Sequence, residues 1–382
     1  MLTGQRWDIF CTVIDNYGDI GITWRLARQL VSEHGKAVRL WVDDMESFRH
    51  IRPEVRPDLD AQTVSGVLIQ RWPTPFPETD PAEVVIEALA CHLPESYEQA
   101  MARQPVKPVW INLEYLSAED WVSGCHGLPS PHPRLPLTKH FFMPGYTSGT
   151  GGVLIERDLL QERDTFQASR ALQESFWQGL GLPVPRSGEL RVSLFSYESR
   201  AIQDLLATWA AGNEPVCCLV PTSKSLVEVA AFFQRPEAGI GETLNRGKLT
   251  VHVLPMLDQD KYDRLLWACD CNFVRGEDSF VRAQLAGKPL VWQAYRQEEG
   301  AHWPKIDAFL ALYCRNLEPE SAEALQRMWR LWNEDGPAGS AWPAFRSHRA
   351  RLTAQADAWL RQLDKAGDLA TNLVKFCNEK SK

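Results

Sequence analysis

The chain opens on an apolar run of strand length, Trp7–Ile14 (WDIFCTVI), followed by the polar stretch Asp15-Asn16-Tyr17-Gly18-Asp19-Ile20-Gly21. In the next segment, TWRLARQLVSEHG, the apolar residues Trp24, Leu26, Ala27, Leu30 and Val31 recur at helical spacing. Thr23 is a candidate N-cap and Gly35 the stop. A second strand follows at AVRLWVDD. Strand, turn, helix, strand is the start of a parallel βαβ unit. Further apolar runs at GVLIQRW, PAEVVIEALA and KPVWINLEYL alternate with helical segments and predict an α/β sheet.

The stretch from Gly124 to Gly152 is rich in Pro, Gly, Ser and His and reads as a long irregular connection. A helix is expected over Asp164–Leu180, and the Pro/Gly cluster GLPVPRSGE behind it is a candidate domain linker. A second α/β series begins at Leu190. It reads as strands at RVSLFSY, PVCCLVP, KLTVHVLP, CNFVRG and PLVWQAY, with helices at ESRAIQDLLATWAAG, QDKYDRLLWACD and EDSFVRAQLAGKP. Helices at SAEALQRMWRLWNE and FRSHRARLTAQADAWLRQLDKAG and a short tail helix close the chain. No repeat of 20–50 residues is present, which argues against a solenoid. Two α/β halves place a ligand at the carboxyl ends of their strands.

Composition adds bounds. The chain has 382 residues, 44% hydrophobic and 24% charged, which fits about two globular domains. A net charge of −8 without a Lys/Arg run makes nucleic acid an unlikely partner. No apolar run reaches membrane-helix length and no secretory signal is visible, so a cytoplasmic location is expected. The nine cysteines include no C-x-x-C pair and read as reduced, mostly buried thiols. Cys269 and Cys271 are too close together for a zinc site, with no paired His behind them. His126 and His140 read as hydrogen-bonding loop residues rather than ligands. Fifteen Trp supply large core side chains, some of them potential stacking surfaces for a ring-bearing ligand.

Three constellations carry chemistry. The first loop holds Asp15 and Asp19 with Gly18 and Gly21 at a strand-to-helix turn, but without the G-x-G-x-x-G or GK[ST] spacing. Two carboxylates repel a phosphate and suit a basic or cation-gripping role. A helix cap and a turn residue are the structural alternative. The second is Arg275-Gly276-Glu277-Asp278-Ser279, where a strand end runs into a helix. Arg275, Ser279 and free backbone N–H groups suit a phosphate, and Glu277 a sugar hydroxyl or developing positive charge. An acidic first turn with surface ion pairs is the alternative. The third is Met256 to Asp263, in which Gln259 can bond a base edge and Tyr262 can stack on one. Phe195 and Tyr197 end another strand of the same half. The alternatives are an ordinary loop and amphipathic helix for the third, with Tyr262 as packing, and core packing for Phe195 and Tyr197.

Together, DIFCTVIDNYGDIGITWRLARQL, INLEYLSAEDWV and LDQDKYDRLLWACDCNFVRGEDSFVRAQLAGKPLVWQAY resemble the EarP family, the bacterial protein-arginine rhamnosyltransferases that modify elongation factor P. The resemblance spans nearly the whole chain. It implies a GT-B fold, two facing Rossmann-like domains with a cleft between them and C-terminal helices crossing back to the first. The domains would be 1–180, completed by about 360–382, and 185–358. The resemblance also implies inverting transfer of L-rhamnose from dTDP-β-L-rhamnose to an arginine of elongation factor P, which activates it for rescue of stalled ribosomes. No metal or cofactor is implied beyond the nucleotide sugar. Asp15, Asp19 and Glu277 would be catalytic, and Phe195, Tyr197, Gln259, Tyr262, Arg275, Asp278 and Ser279 would bind donor. Tyr262 stands where relatives often have Phe, and Met256 where some have an aromatic. The alternatives are a GT-B transferase with another acceptor, and a non-catalytic nucleotide-sugar or translation-factor binding protein. An NAD enzyme is disfavoured by the missing fingerprint.

Overall fold

In the computed structural model, residues 4–14 and 17–381 are described. The chain divides into two compact units, residues 1–157 with 363–382, and residues 158–362.

The first unit runs β1 (Arg6–Cys11), α1 (Gly18–His34), β2 (Ala37–Val42), α2 (Met45–Ile51), β3 (Ala61–Val64), β4 (Val67–Arg71), β5 (Val84–Ala88), α3 (Glu95–Arg103), β6 (Val109–Leu113), α4 (Trp121–Cys125), β7 (Pro129–Pro131) and β8 (Thr138–Phe142). Its sheet has the order β3-β4-β2-β1-β5-β6-β8-β7. The six inner strands are parallel, and β3 and β7 pair antiparallel at the edges. The order reverses between β1 and β5, the switch point of a doubly wound sheet. The central strands carry near-continuous apolar runs because both faces are covered.

The second unit runs α5 (Leu159–Ala168), α6 (Arg170–Gly179), β9 (Leu190–Leu194), α7 (Ala201–Ala211), β10 (Val216–Pro221), α8 (Leu226–Phe232), β11 (Thr243–Arg246), β12 (Leu249–Leu254), α9 (Gln259–Ala268), β13 (Cys271–Arg275), α10 (Asp278–Leu285), β14 (Leu290–Gln293), α11 (Trp303–Tyr313), α12 (Pro319–Asn333), α13 (Trp342–Ser347) and α14 (Arg349–Ala366). Its sheet order, β11-β12-β10-β9-β13-β14, reverses between β9 and β13. The last helix, α15 (Leu369–Lys380), belongs to the first unit.

Several elements differ from the sequence expectation. β1 stops at Cys11 rather than Ile14, because the N–H groups of Val13 and Ile14 turn to the carboxylates of Asp43 and Asp19, both at 2.9 Å. Thr23 is no N-cap. Helix α1 already starts at Gly18, and the Thr23 hydroxyl donates to the Asp19 carbonyl one turn back at 2.7 Å. Gly18 and Gly21 are helical residues rather than loop residues; Gly21 N–H closes the first turn on Tyr17 O at 2.9 Å. Gly35 ends the helix as expected, in the left-handed conformation at φ 61°. The connection 124–152 is not wholly irregular, since β8 inside it joins the sheet beside β6. The helix expected over 164–180 breaks at Ser169, which caps α6. Both helices group with the second unit, so the compact units part at Arg157, not at 180–185. Phe166 of α5 meets Trp267 of α9 at 5.9 Å, and Gln167 Nε2 donates to the carbonyls of Trp267 and Ala286.

Candidate functional site

Asp15 lies outside the described residues. Asp19 sits in the first turn of α1, where the helix N-terminus favours a carboxylate, and is 1% exposed. Its Oδ2 accepts from Ile14 N–H at 2.9 Å and its Oδ1 from the Tyr115 hydroxyl at 2.9 Å. Tyr115 follows β6, and its hydroxyl also lies 3.3 Å from the carbonyl oxygen of Leu89. Leu89 and Ala90, after β5, both adopt left-handed φ values of 56° and 62°. Side chains other than glycine occupy that region rarely and at a cost, and such strain concentrates at functional turns. Three neighbouring strands of the switch point thus deliver one cluster at their carboxyl ends.

In the second unit the donor candidates come together at the equivalent edge. Arg275 ends β13 and is 6% exposed. Its guanidinium lies 4.8 Å from the ring centre of Phe195 and 4.6 Å from that of Tyr197, both just past β9. Two aromatic faces hold a cation that would otherwise sample many rotamers. Phe195 also meets the ring of Tyr262 edge-on at 5.5 Å, and Tyr197 that of Tyr295 at 5.7 Å. Burial pushes the Tyr262 phenol far above its ordinary range, so it stays neutral.

The turn between β13 and α10 is closed by its own polar groups. Gly276 takes φ 62°, and its carbonyl accepts from Trp292 Nε1 at 2.9 Å. Ser279 Oγ accepts from Arg275 N–H at 3.2 Å and donates to the Arg275 carbonyl. Ser279 therefore shapes the turn that presents Arg275. Glu277 is the residue preceding α10, half-buried, and Asp278 begins the helix. Gln259, at the start of α9, donates through Nε2 to Asp278 Oδ2 at 3.2 Å. Met256 is half-buried on the loop before α9. A buried ion pair joins the two helices, with Arg282 Nη2 2.8 Å and Nε 3.1 Å from the Asp263 carboxylate.

Sequence reasoning gave no role to four residues. Tyr115 stands in the segment INLEYL, which entered only as part of the family resemblance. Gln293 accepts from Tyr197 N–H at 2.8 Å through Oε1, and Tyr295 is about half exposed beside Tyr197. Trp292 holds Gly276. The last three were available only as the polar and aromatic end of the strand PLVWQAY. His126 is a hydrogen-bonding residue, its Nδ1 accepting from Met143 N–H at 3.1 Å. His140 lies within β8 rather than in a loop. Among the described residues no three His, Cys, Asp or Glu side chains group to hold a metal ion, and no helix is long and apolar enough to cross a membrane.

Residues 7–378 match the family model of the elongation factor P (EF-P) rhamnosyltransferase EarP. The chain belongs to the EarP family. It is 50% identical over 371 residues to a protein-arginine rhamnosyltransferase of Pseudomonas putida, covering 97% of this chain and 98% of the relative. The corresponding Pseudomonas aeruginosa protein is 46% identical, with the same coverage. A solved structure described as the structural basis for EarP-mediated arginine glycosylation of translation elongation factor EF-P matches at TM-score 0.71 and 36% identity, over 98% of this chain and 99% of that one. A Rickettsia africae glycosyltransferase shares the fold alone, at 10% identity and TM-score 0.52 over 99% and 98% of the two chains. The fold is GT-B, and this EarP-type enzyme is a protein-arginine rhamnosyltransferase.

Proposed function

We propose that this enzyme transfers L-rhamnose from dTDP-β-L-rhamnose, with inversion, to one arginine guanidinium of EF-P. The observation that carries the donor half is Arg275, a buried cation fixed between two aromatic rings at the mouth of a helix N-terminus. Such a group neutralises a departing nucleoside diphosphate without reorganising. Tyr197, Tyr262 and Phe195 offer stacking faces for the thymine, and Gln259 and Asp278 polar contacts. Glu277 holds the sugar or stabilises oxocarbenium charge. In this scheme protein groups suffice, with no metal or further cofactor. The acceptor is a translation factor, which puts the reaction in the cytoplasm.

The acceptor half is harder chemically. A guanidinium titrates above 12 and an aspartate near 4, a gap of about nine units or roughly 12 kcal/mol. Removal of the proton by Asp before attack is therefore too costly. Asp15 and Asp19 instead grip the cation, aim one nitrogen, and take its proton only as the C–N bond forms. An ionised carboxylate has about four acceptor sites. Orientation of Asp19 by Ile14 N–H and the Tyr115 hydroxyl is thus compatible with a hydrogen bond to substrate.

The test is incubation of purified protein with EF-P and a panel of nucleotide sugars. Gain of one deoxyhexose on EF-P with dTDP-β-L-rhamnose alone supports the reading. An unmodified EF-P, or equal transfer from UDP-glucose, removes it.

A further inference from the structure

We propose that Tyr115 is a positioning residue for this reaction: its hydroxyl, anchored beside the strained Leu89–Ala90 turn, fixes the orientation of the buried Asp19 carboxylate toward the acceptor nitrogen. The proposal deepens the function above and rests on Asp19 being one of the acids that handle the guanidinium.

Among the described residues, Asp19 is held from two directions. Ile14 N–H reaches Oδ2 from the loop after β1, and Tyr115 reaches Oδ1 from the segment after β6. The two donors come from different strands, so together they set both the position and the plane of the carboxylate. A phenol has one proton. The 2.9 Å contact to a carboxylate takes it in preference to the 3.3 Å contact to the neutral Leu89 carbonyl. Leu89 itself is pinned, its N–H donating to Leu113 O at 2.8 Å. The turn after β5 therefore gives Tyr115 a rigid neighbour, and its two left-handed residues show backbone held against its preference. The titratable groups around Asp19 include Cys11 of β1, whose thiol is pushed up by burial and by the charges of Asp19 and Asp43. Asp43, at the end of β2, holds the same loop through Val13 N–H.

Simple stabilisation of a buried carboxylate would produce the same two bonds, so the test must read the chemistry. In Tyr115→Phe the ring stays and the donor goes. With EF-P and dTDP-β-L-rhamnose, kcat on the pH plateau should fall about tenfold, because a carboxylate free to rotate is less often aligned. KM for both substrates should stay near wild type, and the melting temperature should fall by only a few degrees, as loss of one hydrogen bond to a buried carboxylate requires. The acidic limb of kcat should move up by about one pH unit, since the ionised form loses a hydrogen bond. Tyr115→3-fluorotyrosine, a stronger donor of similar size, should move that limb down. Opposite shifts from these two variants cannot come from packing alone.

A Tyr115→Phe enzyme with wild-type plateau and limb overturns the proposal. So does a raised KM for EF-P at unchanged kcat, which would make Tyr115 an acceptor contact. Loss of activity with a fall in melting temperature well beyond those few degrees, and no shift of the limb, assigns it a structural role only. If Tyr115→Phe does not fold, the fluorinated variant decides by the direction of its shift. Asp19→Asn separates the two levels: turnover in that variant removes the acid assignment itself. An inactive Asp19→Asn beside an unaffected Tyr115→Phe removes only the positioning role.

Discussion

Replacing Arg275 by Lys keeps the charge and removes the planar fork. The Arg275 guanidinium rests between Phe195 and Tyr197 before any donor arrives, so those contacts act by immobilising it. A lysine at the same place must be ordered on binding, which costs about 0.5–1.5 kcal/mol. It also loses one of two parallel bonds to a phosphate, about 1.5 kcal/mol for a hydrogen bond to a charged group. The sum is about 2–3 kcal/mol, or roughly 30- to 140-fold in Kd at 1.4 kcal/mol per decade. Calorimetric titration with dTDP measures it directly, because the nucleotide carries the diphosphate without the sugar. Arg275→Met, which loses the charge as well, should bind more weakly still. The reasoning fails if Lys weakens dTDP less than threefold in a protein of unchanged melting temperature. It also fails if Lys and Met weaken it equally, for then charge at this position does not matter.

Asp15→Asn and Asp19→Asn keep the shape of the acids and should each lower turnover by at least about 100-fold, leaving dTDP affinity unchanged; calorimetry and EF-P mass spectra read the two effects. Asp263→Asn removes a carboxylate partner of the buried Arg282, a loss of about 3–5 kcal/mol. Scanning calorimetry should then show a fall of roughly 6–20 °C in a unit of this size, while Asp263→Leu combined with Arg282→Met should recover most of it. Burial pushes Cys91, Cys217 and Cys377 up to about 12 and Cys314 to about 11. Among the described residues only Cys125 is not buried. At pH 8 a thiol reagent should therefore label about one of the nine cysteines quickly, and Cys125→Ser should abolish that phase.

Much of the fold was legible because burial on both sheet faces leaves uninterrupted apolar runs, as in VCCLVP and VVIEA. What the pattern could not show was where side chains replace the ladder as partners. Asp19 and Asp43 capture the N–H groups of Ile14 and Val13, so an apolar run continues past the strand. Thr23 looked like a cap because residue type carries no information about which carbonyl its hydroxyl finds. The second site was better exposed to sequence reading, since Arg275 to Ser279 are contiguous and their turn is local. Tyr115 was opaque because its meaning depends on Asp19, nearly a hundred residues away, and on the turn at Leu89. The helices at 159–179 were assigned across the wrong boundary for a similar reason. A Pro/Gly cluster marks flexibility, but Phe166 and Gln167 bind their neighbours ahead of it.

The most direct measurement is the anomeric configuration of the sugar on modified EF-P, read from the one-bond carbon–hydrogen coupling at its anomeric carbon by NMR. Single displacement by an arginine nitrogen steered by Asp15 and Asp19 predicts α-L-rhamnose on that nitrogen. A β-linked sugar would mean retention of configuration and contradict the account, as would attachment to any side chain other than arginine.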